Sequence, residues 1–298
     1  MTSAAHRALL RTCLAADDEV ESRLRAWEGL VDLDDVDGPT FELLPYLHTR
    51  LVGAGVPARD AGRIKGIYAR AWYLDRREQP ARRSEGAVLV RGLAMRSLAY
   101  GGQSVRSAAD TAVLGADWSF ADACADPAVV SRAIRSARQR PDEGIATPDP
   151  AYHLLDALLR GSGWHPDPSL VPLLDAGLLV PLLDGPQWDL VVDEVRRCRW
   201  RAFVEPRLRL LASVGAPVPP PVAAAIAQQP AGLAARLVAT GARGPGWQRR
   251  ALRGAYGLYL ADPGRAHGAR AAVDYPVRNA RLGLASLRRR RSARSTSP

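Results

Sequence analysis

The chain has 298 residues, a formal net charge of +10, 47% hydrophobic and 24% charged residues, which suits one large or two ordinary globular domains with a real core. Its three cysteines, Cys13, Cys124 and Cys198, lie far apart with no CxxC pair, which excludes a disulfide framework and a structural zinc site. The longest apolar stretch, Leu170 to Leu183, is interrupted by Pro172, Asp175, Gly177 and Pro181 and is too short to span a bilayer.

The charge is concentrated at one end. Arg278, Arg281, Arg288, Arg289, Arg290, Arg291 and Arg294 carry most of the +10, with no acid among them. The excess therefore belongs to a tail rather than to a groove across the fold. Val277 to Arg291 is expected to form a basic helix edged by Leu282, Leu284 and Leu287, which either meets an acidic partner or membrane surface or simply solubilises the chain. Lys65 is the one lysine; with abundant Ala, Gly and Pro, this arginine bias points to a high-GC bacterial genome. The opening residues, Met1 to His6, lack a basic region followed by an apolar core, so no transmembrane segment and a cytoplasmic location are expected.

In chain order, Ser3 to Leu14 and Asp17 to Trp27 alternate charged and apolar residues at helical spacing. Val31 to Pro39 contains four Asp residues but no closing Glu of a calcium loop, and reads as a solvated turn. Ile64, Ile67, Tyr68, Ala71 and Trp72 follow i, i+3, i+4, i+7, i+8, a stripe that belongs in a core. Leu74 to Glu85 reads as a charged connector.

Ala87 to Val90 is an apolar, β-rich run that predicts a short strand, ended by Arg91-Gly92. Leu93 to Tyr100 predicts a helix stopped by Gly101-Gly102. Arg106 follows, then Asp110-Thr111-Ala112-Val113-Leu114, a second strand. A helix of this length returns the chain beside its starting strand, so Val88–Val90 and Thr111–Leu114 are expected to pair. Side chains alternate along a strand, which puts positions 110 and 112 on one face. Two carboxylates there would share Mg²⁺ ions that also hold a triphosphate; here Asp110 has Ala112 as its companion. The turn at Gly92 leaves helix N–H groups for phosphate, and Arg91 and Arg106 add bidentate charge. The plainer alternative is that Arg106 and Asp110 form a surface ion pair worth under about 1 kcal/mol.

These residues resemble an uncharacterised bacterial nucleotidyltransferase family of the polymerase-beta-like superfamily. That family shows an apolar strand ending in Leu-Lys-Gly, a helix with an aromatic near its end, then Arg and, after three residues, Asp-Ile-Asp-Leu-Leu-Val. Here Leu89-Val90-Arg91-Gly92, Tyr100, Arg106 and Asp110 stand at those places, Arg91 keeping the charge of the Lys. Segments such as Phe41 to His48, Arg63 to Trp72, Pro150 to Asp156 and Leu210 to Val218 extend the likeness over residues 20 to 220. The resemblance implies nucleoside monophosphate transfer from a nucleoside triphosphate to an unknown acceptor, with Arg91, Gly92 and Arg106 on phosphate and Asp110 as catalytic metal ligand. Two departures point to a degenerate or shortened member. Ala112 replaces the second carboxylate, and Gly115 to Asp149 shows no apolar alternating run holding the third.

The rest of the chain reads as helical. Tyr152 to Leu159, Leu170 to Leu183, Gln187 to Arg201, a helix from Arg207 to Val214 kinked or restarted by Pro206, and Ala-rich helices at Ala223 to Gly241 and Gln248 to Leu260 are expected. Ala216 to Pro221 reads as a polyproline-like linker. The expected fold is α+β, predominantly α-helical, with a small nucleotidyltransferase-like sheet of two to four strands. Its regions are 1–84 helical, 85–149 a shortened α/β core, 150–276 helical and 277–298 the basic tail. Three functions follow: a nucleotidyltransferase relative with impaired chemistry, a non-catalytic accessory protein of a biosynthetic cluster, and a nucleic-acid-associated protein acting through its tail.

Overall fold

The computed structural model describes residues 3–78, 87–101, 105–107, 110–114, 127–140, 145–160 and 169–230. These residues form a mainly helical α+β fold with two small antiparallel sheets of two strands each. The expected basic helix and the helix at Gln248 to Leu260 lie outside the described residues.

The N-terminal half is built from α1 (Ala4–Leu14), α2 (Val20–Glu28), α3 (Gly38–Ala54) and α4 (Ala61–Glu78). Ser3 caps α1 by accepting from the His6 N–H, and Asp37 caps α3 by accepting from the Thr40 N–H, each satisfying an otherwise orphaned helix donor. The acidic turn before α3 thus ends in an N-cap. Gly55 closes α3 with a positive φ of 67°, the left-handed conformation glycine adopts without steric cost. Of the stripe on α4 expected in the core, Ile64 is buried, Ile67, Tyr68 and Ala71 are half-buried and Trp72 is exposed, its ring lying under the Arg76 guanidinium instead. The segment expected as a connector is partly helical, since α4 continues through Leu74 to Glu78.

Strand β1 (Leu89–Val90) leads into α5 (Gly92–Ala99), and β2 (Ala112–Val113) returns antiparallel, with Leu89 opposite Val113 and Val90 opposite Ala112. The Leu114 N–H donates to the Val88 carbonyl at 2.8 Å and extends the pairing. The expected neighbours are therefore neighbours, although the regular strands are two residues long and Asp110 precedes β2 rather than lying within it. Helix α6 (Pro127–Ser136) is followed by a hairpin of β3 (Arg138–Arg140) and β4 (Ile145–Thr147). Val88 makes a parallel bridge to Ala146, joining the two sheets. This hairpin had no strand signature, because Arg138-Gln139-Arg140 carries no apolar alternation; only β4 is buried.

The second half comprises α7 (Pro150–Arg160), α8 (Val171–Leu179), α9 (Gly185–Cys198), α10 (Arg201–Ser213) and α11 (Pro220–Ala227). Nine consecutive residues of α7, Ala151 to Leu159, are buried, so this helix is enclosed on all sides. Helix α10 begins at Arg201 and continues through Pro206, where a helix from Arg207, kinked or restarted by that proline, was expected. The expected linker is shorter than its proline content suggests: α11 begins at Pro220, using the fixed φ of proline at a helix start. Helix α8 packs on α1 at Gly177, where an added Cβ would lie 2.6 Å from Leu14. One apolar cluster runs through both halves, from Leu9 and Leu44 to Leu155, Leu174 and Val204. Glu194 of α9, fully buried, binds Arg132 of α6 through both carboxylate oxygens at 2.5 and 2.6 Å.

Gly92 is fixed by contact as well as by conformation. Its φ is 21°, and a Cβ there would lie 2.2 Å from Thr111 Oγ1 and 2.6 Å from the Thr111 backbone nitrogen. Backbone cannot yield as a side-chain tip does. Gly92→Ala is expected to destabilise the chain by roughly 2–3 kcal/mol or more, read as a lower urea midpoint, whereas Gly62→Ala, with no neighbour within 4 Å, should leave the midpoint unchanged or higher.

Candidate functional site

The residues singled out in the sequence converge on the junction of β1, α5, α7 and α8. Arg91 holds φ 62° and ψ −157°, a region costly for a side-chain-bearing residue. In return its guanidinium points into the fold and grips Asp156 of α7 in a fork, Nε on Oδ2 and Nη2 on Oδ1, both at 3.0 Å. The next residue, Gly92, starts α5. The Leu93 N–H donates to Thr111 Oγ1 at 2.9 Å, so this helix-start amide, which the sequence offered to phosphate, is engaged by a neighbouring side chain.

Arg106 is the centre of the cluster. Its Nε lies 3.1 Å from Asp175 Oδ1, its Nη2 3.0 Å from Asp175 Oδ2, and the same Nη2 2.5 Å from Asp110 Oδ2. Tyr100, at the end of α5, donates its hydroxyl to Asp175 Oδ1 at 2.6 Å and stacks edge-on against Tyr46. Arg160, the last residue of α7, donates from Nη1 to Asp110 Oδ2 at 3.0 Å and lies 3.3 Å from Asp156 and 3.5 Å from Asp175. Arg96 pairs with Asp75 of α4 and donates to the Arg106 carbonyl at 2.7 Å. The surface-pair alternative for Arg106 and Asp110 is thereby corrected: the Arg106 side chain is 5% exposed and has a second, fully buried carboxylate partner.

Three arginines, Arg91, Arg106 and Arg160, thus face three aspartates, Asp110, Asp156 and Asp175. Formal charge cancels within the cluster, as burial of ions demands. Burial tends to raise the carboxyl pKa of Asp110, but Arg160 and Arg106 outweigh it and hold the value at about 2. Burial likewise disfavours a charged Arg106, yet Asp175 and Asp110 keep it protonated. Burial, followed by the charge of Asp175, pushes the Tyr100 hydroxyl well above its usual range.

Arg91, Arg106 and Asp110 are brought together as their spacing implied, with Gly92 and its amide neighbour at the edge of the cluster. Asp156, Arg160 and Asp175 were not foreseen as site residues. The available signal was a charge inside an apolar helix: Asp175 interrupts Val171 to Leu179, and Asp156 lies amid the fully buried turns of α7.

The donor set does not suit Mg²⁺. A hard dication needs several free oxygen ligands, whereas the most accessible carboxylate of the cluster, the half-buried Asp110, is bound by two guanidiniums and position 112 is Ala. Among the described residues no group of three or more His, Cys, Asp or Glu is arranged to hold a metal ion. The described histidines have other roles: His153 is buried and hydrogen-bonded with Thr147 Oγ1 at 2.6 Å, His48 stacks on Tyr68, and His6 closes the α1 capping box and pairs with Asp37 at 2.7 Å. A groove of about 550 Å³ elsewhere is lined by Glu28, Asp32, Asp34, Arg59, Asp60 and Arg63, with Arg63 already paired to Asp34.

No family model, no curated protein and no solved structure matches this chain. Among the described residues, no helix is long and apolar enough to cross a membrane.

Two outcomes are expected of the cluster. Asp175→Asn strips Arg106 of its buried partner and should cost roughly 3–5 kcal/mol, measured by denaturant unfolding. Asp110 has a folded pKa of about 2 against the usual 3.8. Its contribution is therefore complete above about pH 4 and is lost as pH falls through about 2. Asp110→Asn should flatten the fall of the urea midpoint between those pH values.

Proposed function

We propose that this chain is a nucleotidyltransferase relative that binds but does not transfer. The observation carrying the reading is that Asp110, the surviving carboxylate of the motif, gives one oxygen to both Arg106 and Arg160. The resemblance places Arg91, Gly92, Arg106 and Asp110 at a phosphate and metal site, and their gathering around one strand–helix turn supports that lineage. Their partners support the loss of chemistry. A two-metal centre stabilises the attacking and leaving oxygens with paired carboxylates. Here the second position is Ala112, and a dication beside Asp110 would meet the charges of Arg106 and Arg160 at hydrogen-bond range.

The protein then acts as an accessory or recognition module, and its salt-bridged centre serves as the rigid seat of a binding surface. Radiolabel-transfer and pyrophosphate-release assays against a panel of nucleoside triphosphates, with and without Mg²⁺, should give no turnover above buffer. Ala112→Asp alone should not restore any, because the added carboxylate does not free Asp110 from its two arginines. Mg²⁺-dependent turnover that Asp110→Ala abolishes would overturn the reading.

A further inference from the structure

Arg160 is the least satisfied ion of the central cluster. Among the described residues it makes a single hydrogen bond, to Asp110 Oδ2. Its contacts with Asp156 and Asp175, at 3.3 and 3.5 Å, are ion-pair distances without hydrogen-bond geometry, and its buried Nε has no hydrogen-bond partner. A guanidinium does not neutralise by losing a proton. Enclosed at 14% exposure, it requires an anion.

Asp110 supplies that anion from the solvent side. Its side chain is 35% exposed, against 5% for Arg106 and 14% for Arg160 behind it. It does so with one oxygen, on which Arg106 Nη2 and Arg160 Nη1 converge at 2.5 and 3.0 Å. The other aspartates are differently placed. Asp156 is gripped in a fork by Arg91, and Asp175 is locked between Arg106 and Tyr100. Were Asp110 to turn outward, three guanidiniums would face two carboxylates, leaving one positive charge at the mouth of the cluster.

We propose that Arg106 and Arg160 form an oxyanion site for a phosphate group, and that the Asp110 carboxylate occupies it as a tethered competitor in this state. A phosphate group offers more acceptor oxygens than a carboxylate. It can take Arg106 Nη2 and Arg160 Nη1 on different oxygens, where Asp110 must offer both the same one, and such charge-assisted bonds suit guanidinium donors. The site deepens the binding reading given above and rests on it for the choice of this cluster, but not for the absence of chemistry.

The test is calorimetric titration of the full chain with inorganic phosphate, inorganic pyrophosphate and ATP without metal, at matched ionic strength in chloride. Asp110→Asn, isosteric and uncharged, should bind pyrophosphate at least about tenfold more tightly than wild type, a shift of about 1.4 kcal/mol. Arg160→Gln in the same background should remove the gain. Equal gains with phosphate and ATP identify a single phosphate group as the recognised unit; a gain confined to ATP would mean that the base or sugar carries recognition and would overturn the proposal. The wild-type chain supplies an arm that needs no variant at position 110: pyrophosphate should raise its melting temperature above the chloride control, and Arg160→Gln should abolish the rise. A folded Asp110→Asn chain that binds no tighter than wild type overturns the proposal. If that variant does not fold, a wild-type melting temperature that pyrophosphate leaves unmoved does so. Mg²⁺-dependent turnover would instead overturn the non-catalytic reading and leave this site standing.

Discussion

The buried carboxylate of Asp175 organises the molecule. It sits at 0% exposure inside α8, a helix otherwise made of Val, Pro, Leu, Ala and Gly. An isolated charge there would cost many kcal/mol, so the fold must deliver partners to it. Arg106 comes from the loop after α5 and Tyr100 from the end of α5 itself. Once Arg106 is buried, it needs more negative charge than Asp175 shares with others, and Asp110 is drawn in. Each ion is tolerable only because of the next. A cluster of this kind specifies one arrangement of its helices, since shifting any of them leaves a charge unpaired.

The same demand explains the strain at Arg91. With φ at 62° the residue occupies backbone space that favours glycine, and the cost is of order 1–3 kcal/mol. The conformation is over-determined by two contacts on either side of it. Arg91 is tied by its fork to Asp156, and Gly92 is pressed against Thr111, whose hydroxyl accepts from the Leu93 N–H. The turn is held by the sheet on one side and by α7 on the other. Thr111 therefore has a structural duty, which connects β2 to the start of α5 independently of the short ladder between the strands.

What the sequence made legible was local. The helical period of α4, the short helix after Gly92 and the pairing of Val88–Val90 with Thr111–Leu114 follow from periodicity and turn chemistry acting over a few residues. The gathering of Arg91, Arg106 and Asp110 was legible because all three lie within one supersecondary unit. The partners that decide what these side chains do were not. Asp156 and Asp175 lie 65 and 69 positions from the arginines they bind, and no spacing rule reaches that far. Pattern reading treated Asp175 as an interruption of an apolar run, when it is the ion around which that run is folded. The β3–β4 hairpin was missed for a related reason: its outer strand is polar and charged, and only its pairing with the buried Ile145 to Thr147 defines it.

Arg91 shows why equal charge does not make two side chains equivalent. The resemblance puts Lys at this position, and by charge alone the exchange is neutral. The two side chains differ in geometry. An ammonium is a compact, strongly hydrated point charge that suits a mobile phosphate; a guanidinium is a planar fork that suits a fixed carboxylate. Here the fork is closed on Asp156, with both bonds at 3.0 Å and both side chains buried. A lysine in the same strained turn would offer no second parallel bond to Asp156 and would leave its backbone cost less well offset. The arginine is thus matched to the interior carboxylate. In this centre the positive charges point inward and hold helices together, and Asp110, at 35% exposure, is the member that looks toward solvent.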